Sequence, residues 1–227
     1  MQRHIIIVAG GKGLRMGSDI PKQFLPVGGK PLLMRTIERF HTFDSEMPIT
    51  LVLPRQHHDY WRELCQKYRF DITHTVVHGG EERFFSVKNA LGNIPDGVVV
   101  GIHDGVRPFA SHDTIEQAFA EAEKNGCAVP ALPSSDSVRI ADGDTSAPFD
   151  RRRVFLVQTP QCFRSEIIKE AYLADYNPLF TDDASVVETV LKKEIRITPG
   201  NRENIKITTR FDLELANLIY NNLTNKE

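Results

Sequence analysis

Short runs of apolar and β-branched residues alternate with helical patterns through the first part of the chain. The runs lie at residues 4–8, 49–53, 74–77, 98–103 and 127–132. Alternation of this kind is typical of α/β domains, in which helices join the strands of a parallel sheet. The pattern therefore predicts a mostly parallel sheet at the centre of the protein.

Two of the segments between these runs carry apolar residues on one helical face. Leu33, Ile37 and Phe40 have this spacing, and a second set recurs at i, i+3, i+4 and i+7 in Ile115, Ala118, Phe119 and Ala122. We expect both helices to cover a face of the sheet. Ser111 precedes the second helix, and its hydroxyl can accept a backbone N–H that the first helical turn leaves unpaired.

The alternation stops at residues 134–153, which are polar and rich in turn-forming residues. Asp142 followed by Gly143 is a hairpin signal, so the segment predicts a β-hairpin arm that projects from the sheet. Such an arm can form a dimer contact or reach a neighbouring active site. A disordered surface loop is the alternative interpretation.

After the arm, a strand-like run at residues 154–157 is expected to return to the core. Helical patterns follow near residues 166–174 and 211–220, and TDDASVVE at 181–188 is expected to begin a further helix. The chain is thus predicted to form one domain over residues 1–227, with three α/β/α layers and residues 134–153 as a dimerisation arm.

The amino-acid composition limits which binding partners and which cellular location we expect. The 227 residues are 41% hydrophobic and 26% charged, which suits a folded domain, and the net charge of −2 gives no general basis for binding a nucleic-acid backbone. No run approaches the roughly 20 apolar residues of a membrane-spanning helix. We expect a cytoplasmic protein without nucleic-acid or membrane partners, whose three separated cysteines are reduced.

The glycine-rich loop after the first predicted strand is the first candidate for chemistry. VAGGKGLRMG, at residues 8–17, brings Lys12 and Arg15 to the carboxyl end of that strand, and Lys22 follows in PKQFLP. Glycines let the backbone approach phosphates closely, and the cations can neutralise them, so the loop indicates a triphosphate site. The spacing fits neither a Walker A loop nor a GxGxxG fingerprint. A plain turn is the alternative.

Asp104 follows the fourth predicted strand and is the candidate metal ligand. A carboxylate at the carboxyl end of a strand is well placed to hold Mg²⁺, which prefers oxygen ligands and bridges substrate phosphates. The preceding His103 is interpreted as part of the packed structure.

Several segments together resemble a known family. The GGxGxRM loop followed by PKQFLP is similar to the sugar-nucleotide-type pyrophosphorylase superfamily. HGGEERFFSV at residues 78–87, HDGVRPF at 103–109 and ENIKIT at 203–208 resemble the 2-C-methyl-D-erythritol 4-phosphate cytidylyltransferase family of the non-mevalonate isoprenoid pathway. The resemblance implies a Rossmann-like nucleotidyltransferase fold, CTP and a polyol phosphate as substrates, Mg²⁺ or another divalent cation, and a homodimer.

The resemblance also implies roles for individual residues. Lys22 and Arg15 are expected to stabilise the transition state, and Asp104 to hold the metal. The residues expected to bind CTP are Ala9, Gly10, Gly11, Gly13, Gly80, Glu81 and Ser86. The residues expected to position the acceptor are Arg151, Lys206, Arg107 and Ser137, with Arg151 acting on the partner subunit's site.

Three of these residues also have an interpretation without a role in substrate binding. Ser86 can be an ordinary serine near a helix N-terminus, Arg107 can form a structural pair with an aspartate, and Arg151 can belong to a solvated charged face.

The implied reaction is an in-line attack of the acceptor's phosphate oxygen on the α-phosphorus of CTP, which releases pyrophosphate. The nucleophile is already ionised, so no Ser-His-Asp triad is needed, and none is evident. Ribitol 5-phosphate is the alternative acceptor, because Ser135 and Ser137 stand where the family has other residues. A non-catalytic nucleotide-binding module and a nicotinamide-dependent oxidoreductase are weaker alternatives.

Overall fold

The computed structural model describes residues 1–10 and 20–224. The described strands are β1 (Gln2–Val8), β2 (Pro26–Val27), β3 (Lys30–Pro31), β4 (Ile49–Leu53), β5 (Thr75–His78), β6 (Val98–Asp104), β7 (Cys127–Pro133), β8 (Val138–Asp142), β9 (Thr145–Phe149), β10 (Phe155–Val157), β11 (Gln161–Arg164) and β12 (Arg196–Pro199). The described α-helices are α1 (Leu32–Phe43), α2 (His58–Tyr68), α3 (Arg83–Leu91), α4 (His112–Asn125), α5 (Ser165–Ala171), α6 (Asp183–Leu191) and α7 (Arg210–Thr224).

The central sheet has the predicted mostly parallel character. Its strand order is β10–β7–β11–β6–β1–β4–β5, and β12 also pairs with β7. The pairs β1–β4, β1–β6, β4–β5 and β7–β12 are parallel. Strand β11 lies antiparallel between β6 and β7, and β10 is antiparallel to β7. The five strands predicted before residue 134 are all present, to within two residues at their ends, whereas β11 and β12 were not predicted.

The helices cover both faces of this sheet, which gives the predicted three layers. Successive residues of β1 point to opposite faces: Ile5 and Ile7 join the core beneath α1, α2 and α4, and Ile6 joins the core beneath α3, α5 and α6. Ser111 caps α4 as predicted, since its hydroxyl accepts a 3.1 Å hydrogen bond from Thr114 N. Gly101 in β6 leaves room for the ring of Phe119 in α4, because a Cβ there would lie 2.9 Å from Cζ.

A smaller apolar cluster joins α7 to the loop that follows β6. Val106 and Phe109 pack there with Val27, Ile207 and Ala216, all of which are buried. This cluster brings the segment before α7 beside the carboxyl end of β6. No helix among the described residues is long and apolar enough to cross a membrane.

The predicted arm is a hairpin. Strands β8 and β9 form a separate two-stranded antiparallel sheet, in which Asp142 pairs with Thr145 across the turn at Gly143, whose φ of +55° lies in the left-handed region that favours glycine. Almost every residue of the hairpin is exposed. The returning strand β10 begins at Phe155, one residue later than predicted. It was expected to return to the core, but it lies at the edge of the sheet and all three of its residues are exposed.

Burial of His4 in β1 is expected to make stability depend on pH. His4 Nε2 lies 2.9 Å from Thr50 Oγ1, and burial lowers the pKa of His4 from 6.5 to about 4. The unfolded chain therefore binds more protons between these pH values, so the free energy of unfolding should fall as the pH falls from 6.5 towards 4. Above pH 6.5 the contribution of His4 to the free energy of unfolding is constant. Below it, one such group changes the free energy of unfolding by at most about 1.4 kcal/mol per pH unit.

We predict that His4→Gln flattens this dependence, as measured by urea unfolding at pH 5 and pH 7. His41→Gln is the matched control, because His41 lies near the end of α1 and is only partly buried. Equal slopes for the wild type and His4→Gln would contradict the prediction. The buried His103, whose pKa is also lowered to about 4, should keep part of the slope in the variant.

Candidate active site

The candidate site lies where β1 and β6 end side by side. Their parallel register places Val8 opposite Asp104, and the loop after β1 starts at the same edge of the sheet. From β1 the chain goes first to β4 on one side and later to β6 on the other. In open α/β sheets ligands bind beyond the carboxyl ends of the strands at such a change in strand order.

Gly105 allows the two strand ends to approach closely. Its N–H donates to Val8 O at 2.8 Å, and a Cβ at this position would lie 2.9 Å from the Ala9 Cβ and 3.1 Å from Leu33 Cδ1. Glycine is therefore needed here for packing.

A cavity of about 420 Å³ opens at this edge. It brings together eight predicted site residues: Ala9, Gly10, Lys22, Gly80, Glu81, Ser86, Asp104 and Lys206. Gly11, Gly13 and Arg15, together with Lys12, lie outside the described residues. These eight residues, which are distant in sequence, thus lie together at one place in the fold.

Lys22 begins a short 3-10 helix, Lys22–Phe24, that is fixed by its two other residues. The buried Gln23 donates from Nε2 to Ala9 O at 3.1 Å, which ties this helix to the end of β1. Phe24 is buried and packs edge-on against Tyr60 with ring centroids 5.1 Å apart. These contacts fix the backbone that carries Lys22 at the cavity.

The turn before α3 forms another wall of the cavity. Gly79 N donates to Leu53 O at 2.8 Å, and Gly80 N donates to Ser86 Oγ at 3.0 Å. A Cβ on Gly80 would lie 2.3 Å from the Phe85 Cβ, so no side chain fits without movement. The Ser86 hydroxyl thus has a structural contact that holds the glycine turn, and the residue also lines the cavity.

Asp104 lies at the centre of a group of cations. Its Oδ2 atom is 3.1 Å from Arg107 Nε and 3.1 Å from Lys206 Nζ. Burial by itself would raise the pKa of Asp104, but the positive charges of Lys206, Arg83 and Arg107 outweigh it and hold the pKa well below its ordinary value. The carboxylate is thus ionised throughout the neutral range.

Arg107 and Lys206 differ in how far they face the solvent. The side chain of Arg107 is 12% exposed, and its Nη1 donates to Asn204 O at 2.7 Å, whereas the Lys206 side chain is 45% exposed. A backbone bond from Ile207 N to Val106 O at 3.0 Å holds the Lys206 segment beside β6. The structural Arg–Asp pair left open for Arg107 is therefore present, and Lys206 is the more accessible cation.

His103 is part of the packed structure, as the sequence analysis expected. Its Nε2 lies 2.8 Å from Arg107 O and its Nδ1 lies 2.9 Å from Thr159 Oγ1, while Asp104 N donates to the same threonine oxygen at 3.1 Å. A carbonyl can only accept, so Nε2 carries the proton and Nδ1 accepts from the hydroxyl. Burial lowers the pKa of His103 to about 4, which keeps the ring neutral.

Arg83 is the main site residue to which the sequence analysis gave no role. It lines the cavity and forms two hydrogen bonds of 2.8 and 2.6 Å to the carboxylate of Asp183. Asp182 and Asp183 both lie at the N-terminus of α6. Asp182 caps that helix through Ser185 N, whereas the Asp183 carboxylate is turned to Arg83. The quoted segment HGGEERFFSV contains Arg83, but nothing local in the sequence marks its distant partner.

A second cavity of about 190 Å³ adjoins the first. Arg83, Asp104 and Lys206 belong to both cavities. The residues that line the second cavity alone include Arg107, Gln158, Thr159, Gln161 and Asp182. The shared residues thus form a wall between two adjoining spaces.

Two predicted site residues lie elsewhere in the described chain. Arg151 belongs to the 3-10 helix Arg151–Arg153 at the base of the arm, where its Nη1 donates to Ser135 O at 2.7 Å. Ser137 precedes β8 and is exposed. Both lie outside the two cavities as the described residues of one chain form them.

We predict that Gly80→Ala destabilises the fold by about 1–3 kcal/mol, the usual cost of forcing an extra methyl group into a closely packed position. The matched control is Gly92→Ala at the end of α3, where φ is −60° and the nearest atom to a new Cβ is 3.5 Å away. Urea unfolding of both variants measures the difference. Equal stability of the two would contradict the close packing of the Gly80 turn.

The chain is similar to a family model and to curated proteins that carry the same enzyme name. The family model described as 2-C-methyl-D-erythritol 4-phosphate cytidylyltransferase (IspD) matches residues 3–222. The relative of that name from Bacteroides fragilis is 52% identical, over 96% of this chain and 100% of the relative. The one from Porphyromonas gingivalis strain ATCC 33277 is 50% identical, over 96% of this chain and 97% of the relative.

Solved structures agree with these sequence matches. The 4-diphosphocytidyl-2C-methyl-D-erythritol synthase from Anaerococcus prevotii has a TM-score of 0.82 at 29% identity, covering 97% of this chain and 96% of that one. The 2-C-methyl-D-erythritol 4-phosphate cytidylyltransferase from Thermus thermophilus has a TM-score of 0.78 at 27% identity, covering 96% and 98%.

Proposed function

The chain belongs to the 2-C-methyl-D-erythritol 4-phosphate cytidylyltransferase family, and we propose that its two adjoining cavities bind the two substrates of that reaction. The chain transfers the CMP group of CTP to 2-C-methyl-D-erythritol 4-phosphate and releases pyrophosphate, in the biosynthesis of isoprenoid precursors by the non-mevalonate route. The observation that supports the two-cavity proposal is the wall of Arg83, Asp104 and Lys206 that both cavities share.

The larger cavity is proposed to bind CTP. Its glycine turn can present backbone groups to the edge of the cytosine, with the Ser86 hydroxyl beside them and Glu81 near the ribose. A base that covered these polar groups and left them unpaired would bind less well, because each unpaired group that is buried on binding costs roughly 1–3 kcal/mol. Ala9 and Gly10, continued by Gly11 and Gly13, are proposed to hold the triphosphate at the end of β1.

Charge stabilisation is proposed as the chief catalytic device. The acceptor's phosphate is ionised and can attack the α-phosphorus directly, so the protein needs no general base. Lys22, on its fixed 3-10 helix, is proposed to neutralise charge that develops on the phosphate oxygens, together with Arg15. Lys206 lines both cavities and can hold the attacking phosphate beside the α-phosphate.

Asp104 is proposed as the protein ligand of a divalent cation, with Mg²⁺ the expected ion. Arg107 and Lys206 both contact Oδ2, and we propose Oδ1 as the ligand atom. The described residues contain no cluster of three or more His, Cys, Asp or Glu that could hold a metal. One carboxylate fits Mg²⁺, which is commonly held by one or two carboxylates and by substrate phosphates. When bound, the ion neutralises the triphosphate and favours the departure of pyrophosphate.

The smaller cavity is proposed to bind the polyol phosphate. Arg107 and Lys206 supply positive charge there, and Gln158 and Thr159 supply polar groups for hydroxyls. Arg151 and Ser137 are proposed to complete this site from the arm of a second copy, since both lie outside the cavities of their own chain.

A homodimer is therefore part of the proposal. The arm and the adjoining strand β10 expose large apolar side chains, namely Ile140, Phe149, Phe155, Leu156 and Val157. Exposed apolar patches of this kind commonly mark protein–protein contacts. We also propose that the reaction takes place in the cytoplasm.

We predict that Lys22→Ala lowers kcat at least about 100-fold while the melting temperature stays near that of the wild type, because the lost interaction forms chiefly in the transition state. Pyrophosphate release is measured with CTP, Mg²⁺ and 2-C-methyl-D-erythritol 4-phosphate. Lys124→Ala, on the exposed face of α4, is the control. Wild-type kinetics for Lys22→Ala would contradict its proposed role. If the wild-type protein turned over ribitol 5-phosphate and not 2-C-methyl-D-erythritol 4-phosphate, the assignment of the acceptor would be wrong.

We predict that Arg151→Ala raises the KM for the polyol phosphate at least about tenfold and leaves the KM for CTP little changed. The reason is that the variant loses one charge-assisted contact with the polyol phosphate. Arg152→Ala is the matched control, because Arg152 pairs with Asp150 on the same exposed turn.

Mixing subunits tests whether Arg151 acts on the partner's site. If it does, a heterodimer of Lys22→Ala and Arg151→Ala chains contains one doubly defective site and one intact site. Activity should then appear on mixing two impaired variants under conditions that exchange subunits. No gain on mixing, with heterodimers demonstrated by mass spectrometry, would assign Arg151 to its own chain.

A further inference from the structure

Asp183 is a charged side chain that the reaction as described above does not use. It stands in the first turn of α6, is fully buried, and receives both hydrogen bonds from the guanidinium of Arg83. An isolated carboxylate in such a place would be strongly disfavoured, so the Arg83 partner is required for its burial.

Tyr172 supplies a further partner for the same carboxylate. Its hydroxyl donates to Asp183 Oδ1 at 2.6 Å, and its ring stacks on Phe84 with centroids 4.6 Å apart. Burial and the charge of Asp183 raise the pKa of Tyr172 well above its ordinary value, so the hydroxyl keeps its proton as a donor. The carboxylate is thus held from two sides.

The first turn of α6 is itself tied to the sheet. Ala184 N donates to Gln161 Oε1 at 3.0 Å, and Gln161 Nε2 donates to Asp182 Oδ2 at 2.7 Å. Because Gln161 begins β11, the position of Asp183 is fixed relative to the strand that lies beside β6.

Arg83 is held at the wall between the two cavities. It lines both of them, and its charge contributes to the low pKa of Asp104. A guanidinium has five N–H donors, of which the pair with Asp183 uses one on each terminal nitrogen. The other donors can serve an anion bound at this wall.

We propose that Asp183 is a positioning residue, which holds the guanidinium of Arg83 at the shared wall so that Arg83 contacts the bound nucleotide. The inference rests on the proposed assignment of CTP to the larger cavity. The competing explanation is a purely structural ion pair between α3 and α6, which would affect stability without affecting substrate use.

A double-mutant cycle on the whole protein separates these explanations. Asp183→Asn, Arg83→Gln and the double variant are assayed for kcat and for the KM of each substrate, below the melting temperature of every variant. We expect Asp183→Asn to lower kcat/KM for CTP roughly 10- to 100-fold, the scale of effect when a positioned group is displaced. In the Arg83→Gln background the same change should have less than about a threefold effect.

Two further variants keep the test decisive if Arg83→Gln fails to fold. Tyr172→Phe removes one hydrogen bond from Asp183 but leaves the Arg83 pair, so it should lower the melting temperature and keep the KM for CTP within about threefold of the wild type. Glu116→Gln removes the carboxylate from the distant bidentate pair with Arg3, whose distances are both 2.6 Å, and should leave the kinetics unchanged.

Results that contradict the role of Asp183 differ from results that contradict the proposed reaction. If the wild type turns over CTP and Asp183→Asn keeps wild-type kcat/KM although its melting temperature falls, Asp183 is structural and the inference is wrong. Additive effects on kcat/KM in the cycle would overturn it as well. Failure of the wild type to use CTP would instead overturn the function on which the inference rests.

Discussion

The parallel pairing of β1 with β6 is the constraint on which the site depends. It places the end of one strand, Val8, opposite the end of the other, Asp104, so the loop after β1 and the carboxylate of β6 meet at one edge of the sheet. Gly105 permits the contact, since a Cβ there would meet Ala9 and Leu33. Two other site elements are tied to these strand ends: Gln23 joins the Lys22 helix to Ala9, and Ile207 joins the Lys206 segment to Val106.

Buried carboxylates organise the positive charge of the site. Asp104 holds Arg107 and Lys206 on one oxygen, and Asp183 holds Arg83 with both of its oxygens. The cations that a triphosphate and a phosphate monoester require would repel one another in an empty site. Fixed carboxylates reduce that repulsion before substrates bind, and they hold the cations in place so that little reorganisation is needed during the reaction.

The sequence predicts features that depend on local pattern. The β-rich runs before residue 134, the hairpin at Gly143 and the cap at Ser111 follow from side chains near one another in the chain, and the structure contains all of them. Strand β11 was missed because it is short and stands antiparallel among parallel strands. Pairs between distant residues are not encoded in any local pattern. The Arg83–Asp183 contact joins residues 100 positions apart, and the convergence of Lys22, Arg83 and Lys206 on one cavity is a property of the sheet order, which periodicity does not give.

The arm bears on the acceptor site that we propose for the smaller cavity. Within a chain, Arg107 is largely occupied by Asp104 and Asn204, so Lys206 and Arg83 are the more accessible cations in the lining of the smaller cavity. Arg151 stands at the base of a hairpin whose apolar side chains face solvent in the single chain. If a second copy covers those side chains and brings its Arg151 to this cavity, the burial that stabilises the dimer also completes the acceptor site. Dimer formation and use of the polyol phosphate would then depend on the same hairpin.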